Sequence, residues 1–126
     1  MLSNVHGTTG GQTIVFDQVH TNLGGGYSGT TGVFTAPVAG TYVLSLTFCM
    51  WYGSPYSSVG DLYIMQNNVQ LIRVFVELDS NANEGTASGT TVLSLNKGDQ
   101  VFVKAGSGNM YIVGSKLSVF SGFLLS

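Results

Sequence analysis

Charge is what this sequence has least of. Asp, Glu, Lys and Arg make up 8% of its 126 residues, against about 25% in an ordinary soluble domain. The four basic residues, Arg73, Lys97, Lys104 and Lys116, are scattered along the chain, and the formal net charge is -2. Nucleic acid or an anionic lipid surface needs a clustered basic footprint, so neither is an expected partner. Cysteine is nearly missing as well. Cys49 stands alone, without an internal disulfide partner or a zinc-like Cys/His spacing. It is therefore a buried or half-buried small thiol, or one arm of an intermolecular bridge. No stretch reaches the roughly 18 uncharged apolar residues of a membrane-spanning helix, and residues 1–11 lack the basic flank and apolar run of a secretory leader. The expectation is either an intracellular chain or one from which a leader has been removed.

Catalytic groups are equally sparse. The two histidines, His6 and His20, sit among Gly, Thr and Asn, and there is no Gly-x-Ser-x-Gly elbow. Nucleophilic catalysis needs a base beside the nucleophile, and glycoside hydrolysis needs two facing carboxylates. Nothing in the spacing of the six carboxylates places two of them together. The expectation is a protein that binds and is not an enzyme.

What is present in quantity is β-forming. Eighteen glycines are spread through the chain with β-branched and aromatic residues between them, and no window of about eleven residues keeps a helical apolar period. The clearest strand is 41–52, with Tyr42, Leu44, Leu46, Phe48, Met50 and Tyr52 on one face. Residues 62–66 and 69–77 read as a hairpin around Asn67-Asn68, because asparagine tolerates the left-handed backbone of a two-residue turn. Residues 80–89, polar and glycine-bearing, read as a connection before a strand at 90–95. The turn at Asn96-Lys97-Gly98-Asp99 leads into a strand at 100–104. A loop at 105–109, a short strand at 110–113, a turn at 114–115 and an apolar strand at 117–125 complete the chain. Many short strands with turn signals between them predict one two-sheet β-sandwich over residues 1–126, with Met1-Leu2 as the candidate remainder of a fuller first strand.

Three separated blocks carry a resemblance. The first is Phe16, five residues, Asn22, four residues, Tyr27, six residues, Phe34, five residues, Gly40, one residue, Tyr42. The second is Leu95-Asn96-Lys97-Gly98-Asp99-Gln100-Val101, and the third Phe120-Ser121-Gly122-Phe123-Leu124-Leu125. In this order and spacing the chain resembles the C1q domain family, the globular head of complement C1q. Leu44 and Leu46 stand where that family usually has further aromatics, which changes core volume and leaves the pattern intact. Pro37 and Gly40 turn the chain between Phe34 and Tyr42, so both rings can enter one core. Phe16, Tyr27, Phe34, Tyr42 and Phe120 are read as core residues, so the signature identifies the fold and not the site.

The resemblance implies a ten-stranded jelly roll similar to tumour necrosis factor, assembled as a homotrimer. Sparse charge gives little protection against association, and Val43 and Trp51 are candidates for the subunit contact. No collagen-like Gly-X-Y stalk is present, so the sequence is similar to stalkless, head-only members such as those of invertebrates. The implied role is a secreted pattern-recognition protein of innate immunity whose trimeric head binds glycans or other patterned ligands. The alternative is a cytokine-like or synapse-organiser-like module that binds a protein receptor. A glycan site wants aromatic faces beside amides, which the sequence offers at Trp51, Tyr52 and Tyr56 and again at Asn109 and Tyr111. Calcium is a further expectation by resemblance, with Glu77 and Asp79 as candidate oxygen ligands.

Overall fold

The computed structural model describes residues 6–7, 11–16, 26–51, 59–78, 84–106, 110–113 and 119–125. Ten strands follow one another: β1 His6–Gly7, β2 Thr13–Ile14, β3 Val33–Thr35, β4 Gly40–Trp51, β5 Val59–Gln66, β6 Val69–Glu77, β7 Glu84–Leu95, β8 Gln100–Ala105, β9 Tyr111–Val113 and β10 Val119–Leu124. They form two antiparallel five-stranded sheets. In the first, β7 lines one side of β4 while β10 and β9 share the other, and β9 pairs with β1. In the second, β8 pairs with β5 on one side and with β2 and β3 on the other, and β6 closes the β5 edge.

Alternation decides the core. Tyr42, Leu44, Leu46, Phe48 and Met50 on β4 are all buried, and they face Leu62 and Ile64 of β5, Val74 and Val76 of β6, and Val101 and Val103 of β8. Phe16 is buried and its ring lies 5.8 Å from that of Phe120; Tyr27 meets Phe120 at 6.3 Å, and Phe34 meets Tyr42 edge-on at 5.7 Å. The spaced aromatics thus pack together as the sequence predicts. Two tyrosine hydroxyls also fix the backbone: Tyr27 accepts from the Phe16 N–H at 2.9 Å, and Tyr42 donates to the Val38 carbonyl at 2.7 Å.

The β5–β6 hairpin turns at Asn67-Asn68 as expected, with Asn67 at φ 52°. Its side-chain oxygen accepts from the Gln100 N–H at 3.0 Å, tying this turn to the one at Gly98 (φ 93°). There the Asn96 N–H donates to Asp99 Oδ2, holding that carboxyl below the ordinary carboxylate range, with smaller help from the Asn67 and Gln66 side chains. A depressed value stabilises the turn at neutral pH, and that help is lost as pH falls through it. Asn67→Val should cost about 2 kcal/mol in urea unfolding, because a β-branched residue resists positive φ by about 1–2 kcal/mol and the cross-turn hydrogen bond goes too.

One expectation fails. Residues 84–89 are no polar connection: the strand begins at Glu84, and all twelve residues of β7 pair with β4, from Trp51↔Glu84 to Gly40↔Leu95. The reason lies in the opposite sheet. β6 leans over this edge, and Leu78, Val76, Val74 and Ile72 fill the space above the inward positions Gly85, Ala87 and Gly89. A Cβ at Gly89 would stand 2.9 Å from Val74 Cγ2 and 3.1 Å from Ile72 Cδ1. Small residues are what this strand needs, and they erase the apolar alternation by which a strand is recognised.

Candidate functional site

Two ends of one surface matter. The outer face of the first sheet carries Thr41, Val43, Ser45, Thr47, Cys49 and Trp51 of β4, flanked by outward residues of its neighbours. At one end the register aligns Val92, Val43 and Phe123 as a single row across β7, β4 and β10. Val92 is 59% exposed and Phe123 56%, and Leu125, two residues further, is 59% exposed. The apolar final strand therefore spends much of its hydrophobic surface on the outside, an uncommon use of a contiguous patch in a chain that stays alone.

Beyond this row the face turns polar. Ser45 Oγ lies 3.0 Å from Thr90 Oγ1, and Thr47 faces Ser88. Cys49 is buried, opposite Thr86, and burial pushes its thiol up, with the Thr86 hydrogen bond opposing and Glu84 adding to the rise. At the far end, eight residues and about 26 Å from Val43 at the rise of a strand, stands a second row: Glu84, Trp51 and Tyr111, on β7, β4 and β9.

That row unites two predicted regions. Trp51 and Tyr111, sixty positions apart in the chain, meet edge-on with ring centroids 5.2 Å apart, both half-buried. Glu84, exposed, is the neighbour that sequence reasoning missed, because it was assigned to a connection and its register against Trp51 was hidden. Tyr52, Tyr56 and Asn109 lie outside the described residues, and so does Asp79. Glu77 is exposed at the end of β6, in the second sheet. Among the described residues no three His, Cys, Asp or Glu side chains converge as a metal site would require. Nor does any described helix have the length and apolarity to cross a membrane.

The outer face of the second sheet carries an ion pair. Arg73 Nε donates to Asp61 Oδ2 at 2.7 Å, with the aspartate side chain only 4% exposed. The guanidinium also lies 4.8 Å above the Phe75 ring, within cation–π range.

Comparison with known proteins agrees with this architecture. The C1q domain matches residues 2–125. Complement C1q tumor necrosis factor-related protein 3 of mouse is 34% identical over 112 residues, 89% of this chain and 44% of the relative. Caprin-2 of zebrafish is 36% identical over 116 residues, 90% of this chain and 12% of the relative. The chain thus spans less than half the length of these relatives. Among solved structures, the globular domain of zebrafish complement 1qA superposes with a TM-score of 0.71 at 22% identity, covering 98% of this chain and 94% of that one. Eiger TNF from S. frugiperda gives 0.70 at 13%, covering 100% and 88%; at such identities the likeness shows the jelly-roll fold alone. With a match over nearly its whole length and relatives at a third identity, the chain belongs to the C1q domain family.

Proposed function

We propose that this domain is an extracellular recognition module that associates as a homotrimer through the Val92–Val43–Phe123 row and binds glycans or similar patterned ligands at the Glu84–Trp51–Tyr111 row. The observation that carries it is the segregation along β4: an exposed apolar row at one end, and an aromatic pair beside a carboxylate about 26 Å away at the other. Association at the first would leave the second free. Aromatic edges and faces meet the apolar side of a pyranose, and a carboxylate accepts from its hydroxyls.

Sedimentation and a glycan array test both halves. The unaltered domain should sediment as a trimer, and Val43→Glu with Phe123→Glu as a monomer, since like charges would be buried at every contact. A trimer that survives both substitutions overturns the assigned interface. Trp51→Ala should lower glycan binding at least tenfold while the trimer persists. The array is run with and without calcium, which tests the Glu77 expectation as well. Silence on the array in both conditions, with capture of one membrane receptor that no sugar displaces, would favour the receptor-ligand reading instead.

A further inference from the structure

The outer face of the second sheet lies apart from both rows, and its design is unusual for a solvent-facing sheet. Asp61 points outward from β5 between inward Gly60 and Leu62, yet it is buried. Gly106 makes this possible: its N–H donates to the Asp61 carbonyl at 3.0 Å, and a Cβ there would run into the Asp61 carboxylate and the Tyr63 ring. A carboxylate sunk in this way is stable only with a cation above it, and Arg73 supplies it through Nε. Phe75 packs against the same guanidinium. The Tyr63 hydroxyl accepts from it as well, so Arg73 is held by Asp61, Tyr63 and Phe75 while its side chain remains 52% exposed.

Beside it the strand pairing breaks. Ile64 faces Ile72 but Met65 faces Gln70, so Leu71 is an extra residue on β6. Such a bulge re-aims the neighbouring side chains, and beside it lies a shallow, open groove of about 310 Å³ lined by Tyr63, Gln70, Leu71, Ile72 and Arg73. The same ladder row continues from Arg73 through Tyr63 to Lys104. Two of the chain's four basic residues therefore lie on one row, separated by two strand spacings, about 10 Å.

We infer that this bulged groove binds the carboxylate of an acidic sugar. An arginine carries five N–H donors; Nε–H is committed to Asp61 and another donor meets the Tyr63 hydroxyl, which leaves N–H groups at the terminal nitrogens to grip a carboxylate through two parallel bonds. The Gln70 amide suits ring hydroxyls, the Tyr63 hydroxyl, which accepts from Arg73, keeps its own proton to donate to one, and Leu71 with Phe75, 43% exposed, offers apolar surface to the C–H side of the ring. The charge on the row suits one carboxylate at a time. Asp61 already offsets the unit charge of Arg73, and among the described residues only Lys104 adds another on this row, too little for a densely sulfated chain.

Amide and side-chain NMR of the intact domain, titrated with glucuronate and separately with glucose, tests this. Glucuronate should shift Tyr63, Gln70, Leu71 and Arg73, and glucose should not. Arg73→Lys should weaken glucuronate roughly tenfold, because an ammonium keeps the charge and loses the two-bond grip. Since substitution over a buried carboxylate can unfold the domain, Gln70→Glu serves as a second variant at an exposed position: it should abolish glucuronate shifts with an otherwise native spectrum. Trp51→Ala should leave them unchanged, which separates this groove from the site at the Trp51–Tyr111 row. Three results would each overturn the assignment: equal response to glucose, equal displacement by inorganic sulfate, or no shifts at these four residues with millimolar glucuronate.

Discussion

Phe16→Ala is expected to remove about 3–5 kcal/mol of stability, the usual cost of emptying a buried aromatic site. The Phe16 ring is 2% exposed and packs at 5.8 Å on Phe120 of β10, while its own N–H is held by the Tyr27 hydroxyl. Truncation leaves a void between a loop-borne tyrosine and the last strand, and the neighbours that could collapse into it are themselves tethered. A domain of this size holds roughly 5–15 kcal/mol in all, so the variant should lose a large part of its margin. Urea unfolding at fixed protomer concentration measures it, because self-association would otherwise shift the midpoint. A loss under about 1 kcal/mol would mean that the spaced aromatics are not the core they are taken to be. Trp51→Ala is the contrast: it strips a half-buried ring from an outer face and should cost clearly less.

Gly85→Val should produce the second large effect, about 3 kcal/mol, at the upper end of ordinary overpacking. Gly85 pairs with Met50, and its inward side is closed by Leu78 and by Val76 Cγ2 at 3.2 Å from where a Cβ would stand. Neither can retreat cheaply, since both are 8% exposed and lie against the core. The strand would have to lift from β6, opening the seam between the two sheets. A fall in melting temperature of about 10 °C is the corresponding thermal readout. Ser88→Val, on the exposed side of the same strand, should stay within about 0.5 kcal/mol of the parent. Equal effects at the two positions would show that the seam is not close-packed.

The correction at 84–89 has the same origin as the Gly85 prediction. Strand detection by alternation relies on large apolar side chains on one face, but here the large side chains come from Ile72, Val74, Val76 and Leu78 across the gap. The partner strand carries glycine and alanine in return. Each strand is legible only with the other in view. The hairpin at Asn67 was legible because its signal is local: two asparagines and a backbone that only few residues tolerate. The same holds for the Gly98 turn and for the burial of Tyr42, Leu44, Leu46, Phe48 and Met50, since a period of two along one strand suffices to sort its faces.

By itself the chain determined the fold class, the inward face of β4, two of its turns and the family resemblance carried by the Phe16-to-Tyr42 spacing. Each of these rests on neighbours close in sequence or on a spacing that survives without coordinates. Only the tertiary structure decided what lies across from what. Alternation assigns a residue to a face but says nothing about its partner on the next strand, and a shift of register by one residue exchanges every side chain between faces. Glu84 beside Trp51 and Tyr111, the exposed row of Val92, Val43 and Phe123, and the row of Arg73, Tyr63 and Lys104 are all products of long-range register. So is the burial of Asp61, which needs a glycine forty-five positions away to make room for it. Scarcity of charge excluded a broad electrostatic field. Where its few charges lie is decided by pairing between strands that the sequence keeps far apart.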